Sequence, residues 1–371
     1  MSRRVNALSR FNTMRFVKPF LVLLLLSPIF SCPRQASAEG NYALVKKTVE
    51  GHLTYHLIDT SRNLDVGIVP DIGNFAYEFK MNGKDVLIPT DSLSHFLDKR
   101  WFCCGIPFLA PFANRIDKDY YYFQGKKYLL NDELGNVLRL PDTRLAIHGL
   151  LVFDPRWQVV ASGAGEAEAY MTSRLEFYKY PDLMAQFPFA CVMEMTYRLR
   201  DGKLENTTMV FNVGLSSLPV DIGFHPYFRP DGPREEWTLA IGAKKHWIVN
   251  KSLIPTGETE PTDKFLAGVT KGVTLGKTFI DDGFSDLERD ADREAHIWVK
   301  GKTEKIEVIY GEGFDYAIVY APLDNTLFCI EPQTGPTNAF NLNHEGKFPG
   351  LVVLDPGQVF KASFWIVPVG F

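Results

Sequence analysis

Apolar and polar residues alternate along much of the chain. Met193, Met195, Tyr197 and Leu199 interleave with Glu194, Thr196, Arg198 and Arg200, the period-two pattern of a half-buried strand. Asp201-Gly202 follows, a pair suited to a tight hairpin turn, and residues 204–213 read as the returning strand. The same grammar recurs where residues 76–80 turn at Asn82-Gly83 into 85–88, and where 121–130 turn at Gln124-Gly125. Residues 305–310, 316–320, 326–330 and 360–367 predict further strands. A short helical turn is expected near 92–96, and no long amphipathic helix. Residues 132–145 read as a surface insertion, and 244–277, rich in Thr, Pro and Gly, as a long irregular excursion. Many short strands separated by turns, with no linker, composition break or fixed repeat, predict an all-β fold. Its form is a large antiparallel β-sandwich in one domain spanning 39–371.

Composition supports a large core, with 46% hydrophobic and 23% charged residues in 371. The N-terminus changes the picture. Arg3, Arg4, Arg10, Arg15 and Lys18 precede the apolar run 20–30, which is too short to span a membrane, and then Ala36-Ser37-Ala38. This is the pattern of a signal peptide over 1–38. It predicts an exported chain, periplasmic or extracellular, with lipid attachment at Cys32 as the competing reading. Those 38 residues hold six of the 40 Lys and Arg and none of the 44 Asp and Glu, so residues 39–371 carry a net charge of −10. An acidic surface disfavours nucleic acid and anionic membranes as partners, and no later apolar stretch is long enough to cross a bilayer. Cys103, Cys104, Cys191 and Cys329 are too sparse for a disulfide framework and read as buried free thiols. No spacing suggests zinc, and His52 and His56 lie on a strand, too far apart for an easy metal site.

The chemistry concentrates in two motifs, Gly223-Phe224-His225-Pro226-Tyr227-Phe228 and Glu331-Pro332-Gln333-Thr334-Gly335-Pro336. Pro226 restrains the backbone of His225, and the flanking aromatics can exclude water from its ring. Glu331 follows an apolar run, which places it at a strand's end, partly buried and with a raised pKa useful for a general base. An imidazole facing a carboxylate can move two protons at once. Taken singly, each has a plainer reading: a hydrogen-bonded core histidine, and a rim carboxylate paired with an arginine. Residues 334–338 suggest a tight loop that offers backbone N–H groups or Asn338 to a ligand. Asn114-Arg115 supplies directional donors suited to sugar hydroxyls, although Arg115 could equally pair with Asp117 or Glu331. His148 precedes Gly149, which permits close backbone approach. Asp281 and Asp282 offer carboxylates for hydroxyls, or an ordinary acidic turn.

Asn114-Arg115-Ile116, His148-Gly149, His225 to Phe228, Asp281 to Phe284 and Glu331 to Gly335, in that order, resemble the aldose 1-epimerase (galactose mutarotase-like) family. The resemblance implies a β-supersandwich with an open sugar cleft. It implies interconversion of the α and β anomers of a free aldose, a hexose such as glucose or galactose or a reducing oligosaccharide, without metal or organic cofactor. His225 would be the general acid on the ring oxygen and Glu331 the general base on the anomeric hydroxyl. Asn114, Arg115, His148 and Asp281 would bind the sugar. The residues 109–113 preceding Asn114 differ from the Gly-Arg-Tyr type of galactose mutarotases proper, so the substrate stays open. Hexose-6-phosphate epimerases are relatives, and export disfavours that substrate. A non-catalytic sugar-binding protein on the same sandwich is the alternative. A glycoside-cleaving enzyme needs two carboxyl groups, for which only Glu331 with Asp281 could serve.

Overall fold

The computed structural model describes residues 40–100, 103–323 and 327–371. The expected leader over 1–38, with Cys32, lies outside the described residues.

Two large antiparallel sheets dominate, as the alternation predicts. The nine-stranded sheet is ordered Gln158–Ala164, Ala169–Leu175, Cys191–Arg200, Lys203–Asn212, Val359–Val369, Lys305–Tyr310, Ala295–Lys300, Thr238–Ile241 and Val273–Thr274. The eight-stranded sheet is centred on Ile280–Leu287, Tyr316–Ala321 and Phe328–Gln333. A five-stranded sheet begins the described chain at Tyr42–Val49. Alternate residues of the two large sheets meet in one core. Phe224 of the eight-stranded sheet lies 4.9 Å, centre to centre, from Phe364 of the nine-stranded one, and Met195, Val308, Ile330 and Phe328 belong to the same buried cluster.

The predicted hairpins form at their turns. Asn82-Gly83, Gln124-Gly125 and Asp201-Gly202 all take positive φ, the geometry that matches strand twist. Gly125 has open space around a would-be Cβ at φ +74°. Gly125→Ala should therefore cost only the left-handed backbone term, about 1–2 kcal/mol by denaturant unfolding.

Four expectations change. The strand expected over 85–88 is only Lys84–Asp85; beyond it the chain leaves the small sheet, and the Ile88 N–H donates to the Tyr227 carbonyl at 2.9 Å. Apolar Val86 and Leu87 are drawn into the main core instead. The expected irregular stretch 244–277 contains a hairpin, Ala243–Val249 with Pro255–Pro261, then a helical turn Thr262–Phe265. Its Pro-bearing strand sits at the sheet edge, where missing N–H donors do no harm. Glu331 lies inside Phe328–Gln333, not at its end. Cys104, Cys191 and Cys329 are buried free thiols, but Cys103 is exposed.

Candidate active site

Strand register builds the site. On one side of Phe328–Gln333, Gly223 pairs with Gln333, Tyr227 with Cys329 and Phe228 with Phe328. That register sets His225 directly opposite Glu331, while Pro226, lacking an N–H, interrupts the ladder between them. Directly opposed side chains share a face, and His225 Nε2 stands 3.2 Å from Glu331 Oε1. On the other side, Ile318 pairs with Glu331 and Tyr320 with Cys329, and the next strand adds Gly283 beside Ile318 and Asp281 beside Tyr320. Asp281, Tyr320, Tyr227, Glu331 and His225 thus project from one face of the sheet, and the opposite face feeds the core. The same alternation separates Asp281 from Asp282. Asp281 lines a cleft of about 400 Å³, whereas Asp282 points away and meets His246 Nε2 at 2.9 Å.

A second wall comes from two strand fragments, Arg115–Ile116 and Ala146–Ile147, which pair antiparallel. Asn114 and His148 follow left-handed backbone, φ 56° and 61°, and the His148 N–H donates to the Asn114 carbonyl at 2.9 Å. Gly149 packs on Ala110, next to a cis Ala110-Pro111 bond. Arg115 pairs with Asp281 at 3.0 Å, not with Asp117 or Glu331, and its other arm donates to Asn114 Oδ1 at 3.0 Å. The insertion at 132–145 is not merely surface, because Leu138, Arg139 and Leu140 line the cleft. Asn338 does not reach it. Its side-chain Oδ1 accepts from the Asp117 N–H and the Asn341 amide, bracing the loop.

The centre is dry. Glu331 is 1% exposed and His225 7%. Burial, reinforced by Asp281, holds the Glu331 carboxyl well above the usual range, against the opposing pull of Arg115 and of the Gln333 amide. Burial, with the Arg115 charge, pulls His225 down to about 3. Burial and the neighbouring His225 and Arg115 likewise hold His148 well below its ordinary value. Burial raises Asp281, and Arg115 opposes it. Both shifts oppose charge separation in the contacting pair, favouring a protonated carboxyl beside a neutral imidazole over the ion pair. The Tyr227 ring stacks on His225 at 4.5 Å with its hydroxyl 3.4 Å from Nε2. The His148 ring meets His225 edge-on at 5.2 Å. Gln333 donates to Glu331 Oε2 at 3.1 Å.

All six residues singled out in the sequence, Asn114, Arg115, His148, His225, Asp281 and Glu331, line this one cleft. Sequence reasoning gave Tyr227 only a share in excluding water from His225, and gave no individual role to Gln333 or Tyr320. The signal was present for the first two: each stands two positions from Glu331 or His225, hence on the same strand face. Arg100, Arg139 and Cys103 also line the cleft, and no local pattern marked them.

The aldose 1-epimerase family model matches residues 68–366. The chain is 27% identical to a galactose mutarotase of Sus scrofa, over 76% of this chain and 83% of the other. A galactose mutarotase-like protein from Clostridium acetobutylicum superposes with a TM-score of 0.76 at 19% identity, covering 89% of this chain and 99% of that one. A galactose 1-epimerase from Lactobacillus acidophilus gives 0.67 at 14%, covering 90% and 99%. At such identities the structural likeness establishes the fold, and the family match spans both the sheet that carries His225 and Glu331 and the fragments that carry Arg115 and His148. The chain belongs to the aldose 1-epimerase family.

Proposed function

We propose that the protein is an aldose 1-epimerase, an isomerase that interconverts the α and β anomers of a free aldose. The carrying observation is the 3.2 Å contact between His225 Nε2 and Glu331 Oε1 in a buried setting. The ring oxygen and the anomeric hydroxyl of an aldose sit on the same carbon. A donor and an acceptor that already touch can bracket both. One gives its proton to the ring oxygen while the other removes the hydroxyl proton, the hemiacetal opens, and rotation about C1–C2 exposes the other face of the carbonyl. Reclosure returns both protons.

The pair enters and leaves this cycle with one proton. His225 as acid and Glu331 as base are the roles of its ion-pair form. Burial favours the uncharged form, in which Glu331 holds the proton, and one transfer across the contact interconverts the two. Opening and reclosure run the pair in both directions, so each group serves as donor and as acceptor. Arg115, fixed by Asp281 and Asn114, directs its remaining donors at sugar oxygens, with His148 and Asp281 completing the hydrogen bonds.

Polarimetry on freshly dissolved α-glucose and α-galactose tests this. The protein should speed the approach to anomeric equilibrium, and binding of these sugars without acceleration would leave a sugar-binding protein instead. The Gln333 contact gives a second test. Its N–H stabilises the ionised form of Glu331, so Gln333→Leu pushes the Glu331 pKa further up. The basic limb of the pH–rate profile, where the pair loses its one proton, should move to higher pH, and kcat/KM below that limb should fall about tenfold as the ion-pair form becomes rarer.

A further inference from the structure

The cleft's lining inverts the charge of the rest of the protein. Residues 39–371 carry a net charge of −10, yet among the described residues three arginines, Arg100, Arg115 and Arg139, face the cleft against two carboxylates. Arg115 pairs with Asp281 at 3.0 Å, and burial favours the uncharged form of Glu331. Arg139 is fixed as a rigid wall. Its side chain is 8% exposed, and it donates to Asp132, Asp119 and the Arg144 carbonyl. Those bonds use four of its five N–H groups, and both carboxylates face solvent, 79% and 51% exposed, where salt screens them.

Arg100 differs from both. It ends the helix Leu93–Lys99 in left-handed backbone, φ 47°. Its guanidinium carbon lies 5.4 Å from the centre of the Phe153 ring. Among the described residues it makes no hydrogen bond or ion pair. A neutral hexose gives such a cation no counter-charge. The cleft's 400 Å³ is on the scale of pockets for drug-sized ligands, which leaves space beside a single pyranose ring.

Resting on the epimerase reading of His225 and Glu331, we propose that the aldose carries a negatively charged group away from its anomeric carbon, a carboxylate, sulfonate or phosphate, received by Arg100 at the cleft's rim. The ring's anomeric end meets the buried acid/base pair, and the charged substituent faces outward.

The test compares anomer exchange, read by NMR saturation transfer, for galactose, galacturonate, a 6-sulfonated glucose and glucose 6-phosphate, with wild type and Arg100→Gln. One or more of the acidic sugars should exceed galactose in kcat/KM by about tenfold or more. Arg100→Gln should collapse that ratio toward one, and added salt should erode it; which acidic sugar leads identifies the group. Equal turnover of neutral and acidic sugars, or a ratio that Arg100→Gln leaves intact, overturns the proposal. If the wild type accelerates no sugar, the epimerase reading falls separately. Calorimetric binding of an acidic sugar that Arg100→Gln abolishes would then still uphold the anion site, and absence of binding would end it.

Discussion

His225→Asn and Glu331→Gln should each slow anomer interconversion by about 10²–10⁴-fold, the usual worth of one positioned proton-transfer group. The double variant should be little slower than either single one. In the proposed mechanism the two groups, 3.2 Å apart, share one proton, so removing either disables the unit, and losses within a unit do not add. Multiplying losses in the double variant would mean that the groups act independently, and the shared-proton account would fail.

Both substitutions are close in shape, and pH separates a chemical loss from a folding defect. The folded pKa of His225 is depressed to about 3 from 6.5. Its contribution to stability is present above about 6.5 and is lost as pH falls toward 3, because the unfolded chain binds the extra proton in that window. Glu331 has the opposite sign. Its folded pKa is raised above 4.5, so its contribution is present below about 4.5 and is lost as pH rises through the folded value. Thermal unfolding across pH should show His225→Asn less sensitive to acid than the wild type, and Glu331→Gln less sensitive to base. Unfolding profiles that parallel the wild type in both variants would mean that the groups are not buried as the fold places them.

Much of this was legible before any coordinates. Period two along 193–200 fixed a strand and its facing, and turn pairs such as Asp201-Gly202 located hairpins, because both are properties of a few adjacent residues. The candidate residues were visible through motif resemblance, and their convergence was not. His225 and Glu331 are opposed through a register set by Gly223, Cys329 and Gln333, which no local pattern encodes. The end of the apolar run at Ile330 suggests a strand end at Glu331, yet Phe328–Gln333 runs on through it. Residues 244–277 read as loop because an edge strand tolerates the Pro and Gly that weaken a central strand. The choice between Asp281 and Asp282 needed only the facing of one strand, but the sequence offered two acidic residues in succession and no anchor for the alternation.

Gly149→Ala should be among the most damaging single-methyl additions in the protein. Gly149 has φ +70°, and a Cβ there would lie 2.1 Å from the Ala110 carbonyl oxygen and 2.3 Å from its carbon. Both are backbone atoms, so no side chain can swing aside. The left-handed strain adds to overpacking, for a loss of about 2–5 kcal/mol. Gly125→Ala is the control, since it has nearly the same φ and nothing within 4 Å, and it isolates the backbone term. The excess at Gly149 measures how firmly the two walls are pressed together. That pressure has a chemical consequence, because His148 is the preceding residue, its N–H is held by Asn114, and its ring lies against His225. Backbone relief at 149 must move the His148 ring and loosen the Arg115 arch paired beside it. Gly149→Ala, assayed well below its melting temperature, should therefore lose activity beyond what its unfolded fraction explains, with KM raised more than kcat is lowered. A variant as stable as Gly125→Ala, with unchanged KM, would show that the fragment carrying His148 is free to shift and that its packing against Ala110 does not set the site.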